Sequence, residues 1–141
     1  MQRRQLFGVL TGILLIAGAI RLSAHETKEI AGLEVTFGAE PEPAITGQFQ
    51  YLRWRFRSKA TKENFTELEQ LTATIKKDGK ESGPFAARLI GRDPGLVQTQ
   101  HIFTAPGEHE VVLSFKKKGD TQDYSIAFTF QIQDRKELEI P

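Results

Sequence analysis

Tyr124-Ser125-Ile126-Ala127-Phe128-Thr129-Phe130-Gln131-Ile132 alternates large apolar residues with small or polar ones over nine positions. In extended chain, successive side chains point to opposite faces, so Tyr124, Ile126, Phe128, Phe130 and Ile132 form one apolar face. A second stretch repeats the pattern: Leu52, Trp54 and Phe56 lie on one side of Gln48 to Arg57, with Tyr51, Arg53, Arg55 and Arg57 on the other. The same period runs through Leu33, Val35 and Phe37; Leu71, Ala73 and Ile75; Val97, Thr99, His101 and Phe103; and His109, Val111, Leu113 and Phe115. A short strand from Phe85 to Ile90 completes a set of about seven.

Turn formers separate these segments. Glu40-Pro41-Glu42-Pro43 ends the first, because proline cannot donate to a ladder. Lys77-Asp78-Gly79-Lys80 closes the third, and Gly91-Arg92-Asp93-Pro94-Gly95, Ala105-Pro106-Gly107 and Lys116-Lys117-Lys118-Gly119-Asp120 mark further turns. Lys62 to Leu71 mixes periods and is read as a connection with room for a helical turn. Sheets with one oily face bury it against each other. The expected fold is all-β, an immunoglobulin-like antiparallel sandwich spanning 25–133 with an exposed charged tail at 134–141.

The first 24 residues read as an address. A basic start, an apolar stretch from Leu6 to Ile20 and a small-residue end at Ser23-Ala24 have the layout of a secretory signal peptide. The apolar stretch is about 15 residues, short of the roughly 20 a membrane helix needs, which favours cleavage over anchoring. Arg3-Arg4-Gln5-Leu6-Phe7 also resembles a twin-arginine signal, with Gln2 where a serine or threonine is usual. General and twin-arginine export both remain open. A periplasmic or extracellular protein is expected, with membrane association only if the leader is kept.

At 141 residues, with 39% hydrophobic and 26% charged content, the chain has the size and balance of one globular domain. Its net charge is +1, and without Arg3, Arg4 and Arg21 the remaining 16 Lys and Arg face 18 Asp and Glu. A nucleic-acid partner is not expected, because phosphate binding needs clustered positive charge. The absence of cysteine excludes disulfides, thiol nucleophiles and thiolate metal sites. No serine sits in a nucleophile-elbow context and no carboxylate pair sits beside a visible apolar pocket, so an enzyme is not expected.

Two residue sets stand out. With no thiol present, His25, His101 and His109 are the best copper or zinc ligands. Cleavage after Ala24 would give His25 a free amine beside its imidazole, and one or two more imidazoles could complete a square-planar set. Their alternative readings are structural. His25 is also the polar residue after a cleavage site, and His101 also a half-buried inward residue. His109 stands where sandwich domains keep a corner tyrosine, so it also reads as a corner residue bonded back to the chain. The Arg53, Arg55, Arg57 row could grip a carboxylate- or phosphate-bearing partner, or simply be a solvated face balanced by acids across the sheet.

Pro41, Pro43 and Gly47 before the second strand, and Pro106 to Val111 at the start of the penultimate one, resemble the small bacterial extracytoplasmic YtkA-like domains and, more distantly, the CopC-like periplasmic copper carriers. The likeness covers about residues 30 to 132. It implies a sandwich and, from the second family, a Cu(II) site built on the first residue after cleavage, which is His25 here. The Asp-x-His pair typical of those carriers is absent. Two functions follow as expectations: a copper-binding or copper-handling exported protein, or an interaction module of the cell envelope that meets an exported or membrane protein through its arginine face.

Overall fold

The computed structural model describes residues 25–139, and the leader assigned to 1–24 lies outside the described residues. Nine strands form two antiparallel sheets. β1 (Glu26–Ile30), β2 (Leu33–Glu40), β3 (Phe49–Ser58), β7 (Leu96–Ile102) and β6 (Arg88–Leu89) make the first, in the order β1-β2-β3-β7-β6. β5 (Lys80–Ala86), β4 (Leu68–Lys77), β8 (Gly107–Lys117) and β9 (Asp123–Ile132) make the second, in the order β5-β4-β8-β9.

The alternating residues pack as their period dictates. Val35, Leu52, Trp54, Phe56 and Val97 of the first sheet, and Val111, Leu113, Phe115 and Phe128 of the second, are buried between the layers. Aromatic rings join the layers: Phe37 stacks on Phe128 at 5.2 Å and Phe56 meets Phe115 edge-on at 5.1 Å. Full burial of each such side chain is worth about 1.5–3 kcal/mol, so the alternation itself supplies the drive to pair the sheets.

Three features differ from the sequence expectation of about seven strands. Glu26–Ile30, outside every strand expected from the sequence, is an edge strand paired with β2 from Glu26↔Phe37 to Ile30↔Leu33. It has no apolar alternation because Lys28 takes a half-buried inward position: its ammonium lies 5.1 Å from the centre of the Phe128 ring and donates to the Ala127 carbonyl. A lysine can do this because its ammonium is attracted to the ring face while also donating to an oxygen.

The segment around Phe85 to Ile90 is split between the sheets. β5 pairs with β4, β6 pairs with β7, and the chain crosses at Ala87, whose N–H donates to the Leu71 carbonyl at 3.1 Å. Thr99 Oγ1 donates to the Ala86 carbonyl at 3.0 Å from the opposite sheet and holds the crossing. Pro84 is accommodated because β5 is an edge strand.

Lys62 to Leu71 contains no helical turn. It folds back on β3, where Arg57 bridges Asn64 and Phe65 N–H donates to the Phe56 carbonyl at 2.9 Å, before β4 begins at Leu68. Beyond β9, Arg135–Leu138 forms an exposed 3-10 turn, capped by Asp134 and tied to the body by Arg135 N–H donating to Thr46 Oγ1 at 3.0 Å.

Candidate functional site

A cleft of about 370 Å³ opens at one end of the sandwich. Ile75, Lys77, Asp78, Lys80 and Ser82 of the β4–β5 hairpin form one wall; His101, Phe103, Thr104, Ala105 and His109 form the other. These residues prolong the inward faces beyond the packed core. Lys77 lies two positions after buried Ile75, His101 two after buried Thr99, and His109 two before buried Val111.

Phe103 is the floor. It is 2% exposed and meets His101 edge-on at 4.7 Å, His109 edge-on at 4.9 Å and Phe130 at 5.4 Å. His101 also leans on Phe85 at 5.0 Å, and His109 lies 5.9 Å from Phe130. The two imidazoles thus sit in one continuous set of aromatic rings drawn from both sheets.

His109 is 4% exposed, and its Nδ1 lies 3.0 Å from the Gly107 carbonyl. A carbonyl only accepts, so Nδ1 carries the proton and, in the neutral ring, Nε2 keeps the lone pair. This is the corner bond expected of His109 as a stand-in for tyrosine, and it fixes which nitrogen remains for a ligand. Burial pushes the His109 pKa below its ordinary value; the Gly107 bond and Asp78 oppose that shift and Lys77 adds to it. His101 is also lowered, first by burial and then by the neighbouring His109. Both shifts favour the neutral ring, which is the form that ligates metals. Asp78 lies 3.4 Å from Lys77 Nζ, so its carboxylate already faces an ammonium.

His25 does not join this pair. It lies 3.4 Å from Glu42 and lines a separate depression on the outer face of the first sheet with Glu40, Arg53, Arg55 and Asp93. The expectation of one ion held by His25 together with His101 or His109 is corrected on this point. His101 projects inward from β7, whereas the His25 depression is walled by outward-facing residues of β2 and β3. Among the described residues, no three His, Asp or Glu side chains converge as a metal-holding set.

The arginine row is largely satisfied within the sheet. Arg53 donates to Glu40 at 2.7 Å and Gln98 at 2.9 Å. Arg55 donates to Asp93 at 2.8 Å and to the Pro94 carbonyl at 3.3 Å; the Asp93 bond raises the guanidinium pKa and lowers that of the carboxyl. Arg57 is exposed opposite Glu34. Two of the three guanidiniums thus follow the balanced-face reading.

Sequence reasoning identified both cleft histidines but missed Lys77, Asp78, Ser82 and Thr104 around them. The signal for Lys77 was present in the parity that carries Ile75 inward. Ser82 faces the cleft because β5 pairs it with Ile75, a register no single-strand pattern contains.

No family profile matches the chain, and no curated protein is detectably similar to it in sequence. Two solved structures share its fold. A DUF4426-family protein from Pseudomonas aeruginosa superposes with a TM-score of 0.59 at 13% identity, over 77% of this chain and 94% of that one. A copper-bound variant of FetP from uropathogenic Escherichia coli superposes with a TM-score of 0.57 at 12% identity, again over 77% and 94%. At these identities the likeness is one of fold. It agrees with the fold-level resemblance to small sandwich domains read from the sequence.

Proposed function

We propose that this chain is an exported, non-catalytic copper-binding domain that takes one copper ion in the cleft through the imidazoles of His101 and His109. The observation that carries the reading is the placing of two histidines on a single cleft, one with its Nδ1 bound to the Gly107 carbonyl so that Nε2 keeps the lone pair in the neutral ring. Imidazole is a good copper ligand, and a site with few protein donors leaves positions open for exchange, which suits capture and hand-over. The copper-bound FetP variant supports the reading as a sandwich of the same fold that holds this metal. The leader-like start of the sequence supports export.

The competing reading, an envelope assembly module acting through Arg53, Arg55 and Arg57, has less behind it, because two of those side chains already have carboxylate partners. The test is a copper titration of the purified protein beside its His101→Phe and His25→Ala variants. One copper per chain, weakened at least about tenfold by His101→Phe and unchanged by His25→Ala, is expected, a loss of about 1.4 kcal/mol or more. Uptake that vanishes with His25→Ala and ignores His101→Phe would remove the cleft from the account. Cell fractionation tests export: recovery in the cytoplasm alone would contradict it.

A further inference from the structure

Resting on that copper reading, we infer that the cleft is built for monovalent copper and discriminates against Cu(II) and Zn(II). The cleft offers two imidazoles, the carboxylate of Asp78 and the hydroxyls of Ser82 and Thr104. Asp78 is held against the Lys77 ammonium at 3.4 Å, and His109 contributes one nitrogen because the other is bound to Gly107. Zinc in protein sites takes four ligands in a tetrahedron, and Cu(II) takes a tetragonal set of nitrogen and oxygen donors. With Asp78 facing Lys77, two imidazole nitrogens and two uncharged hydroxyls are left, a donor set poorer than either dication takes. A closed-shell monovalent copper ion has no ligand-field preference and is stable with as few as two nitrogen donors.

Charge acts in the same direction. Two lysines, Lys77 and Lys80, face the cleft against one aspartate, Asp78, so an entering cation meets a net positive wall. Coulomb repulsion doubles for a divalent ion over a monovalent one at the same distance. The apolar floor adds a third preference: Phe103 lies against both imidazoles, and water-poor surroundings cost a divalent ion more desolvation than a monovalent one. The chain carries no cysteine, and its single methionine is Met1, so sulfur ligation plays no part in this selectivity.

The decisive experiment is an oxygen-free titration with tetrakis(acetonitrile)copper(I) against bathocuproine disulfonate, compared with aerobic Cu(II) and Zn(II) titrations of the same protein. One Cu(I) should bind per chain, at least about tenfold tighter than either dication. Its X-ray absorption spectrum should show a two-coordinate edge feature with nitrogen neighbours only. His101→Phe, which keeps a ring against Phe103 and Phe85, should abolish that Cu(I) binding while far-UV circular dichroism stays sheet-like. Cu(II) or Zn(II) binding as tightly as Cu(I), in a manner lost with His101→Phe, would overturn the oxidation-state inference and leave a histidine metal site in place. Indifference of both copper states to His101→Phe would overturn the inference together with the copper function beneath it.

Discussion

Replacing Phe103 by alanine attacks the point where fold and site meet. The ring is 2% exposed and is within 5.4 Å of His101, His109 and Phe130, which come from β7, β8 and β9. Truncating a buried phenylalanine costs about 3–5 kcal/mol through lost transfer energy and the cavity left behind. Edge-to-face partners add about 0.5–1.5 kcal/mol each, so the upper part of that range is expected. Against a typical total stability of about 5–15 kcal/mol, the variant should be visibly less stable yet still largely folded in the cold. Urea unfolding followed by the fluorescence of Trp54 measures this, with Phe103→Leu as the milder companion costing about 1–2 kcal/mol. Both variants should also bind copper more weakly, since the imidazoles lose the surface that orients them. A loss below about 1 kcal/mol for Phe103→Ala would show that the cleft has no packed floor and would refute the placement of both histidines.

Gly95 has φ +83°, and a Cβ there would lie 2.7 Å from the Phe56 carbonyl oxygen, so Gly95→Ala should destabilise by about 2–4 kcal/mol in the same urea assay, whereas Gly91→Ala, with open space around it, should stay within about 0.5 kcal/mol. Burial lowers the pKa of His101 and His109 below the ordinary 6.5, so the folded state binds fewer protons than the unfolded one; stability of the metal-free protein should be full above about pH 6.5 and fall as pH drops through the folded values. His101→Phe should flatten that dependence, and NMR titration of the ring protons should place both midpoints below 6.5; midpoints above it would contradict the burial seen here. Arg57→Ala should change stability by no more than about 0.5 kcal/mol, as judged by thermal unfolding, because the side chain is exposed and unpaired among the described residues.

The alternating segments were legible because a strand sorts side chains by parity alone. Leu52, Trp54 and Phe56 are buried while Arg53 and Arg55 face out, and His101 falls on the inward side with Val97 and Thr99, as the period requires. β1 was not legible, since an edge strand that turns a lysine inward over Phe128 in place of an aliphatic residue carries no apolar period. The crossing at Ala87 was equally hidden: whether Lys80 to Leu89 continues in one sheet or changes sheets depends on partners in β4 and β7, distant in sequence.

By itself the sequence determined the sandwich and the alternating residues of its core, because each rests on local periodicity. Only the tertiary structure decided which chemistry-bearing groups meet. It paired His101 with His109 over Phe103, set Lys77 and Asp78 beside them, and left His25 with Arg53 and Arg55 on the outer face of the sheet. The physical reason is that a site is made by registers and layer contacts between strands far apart in the chain, and no single strand's pattern encodes them.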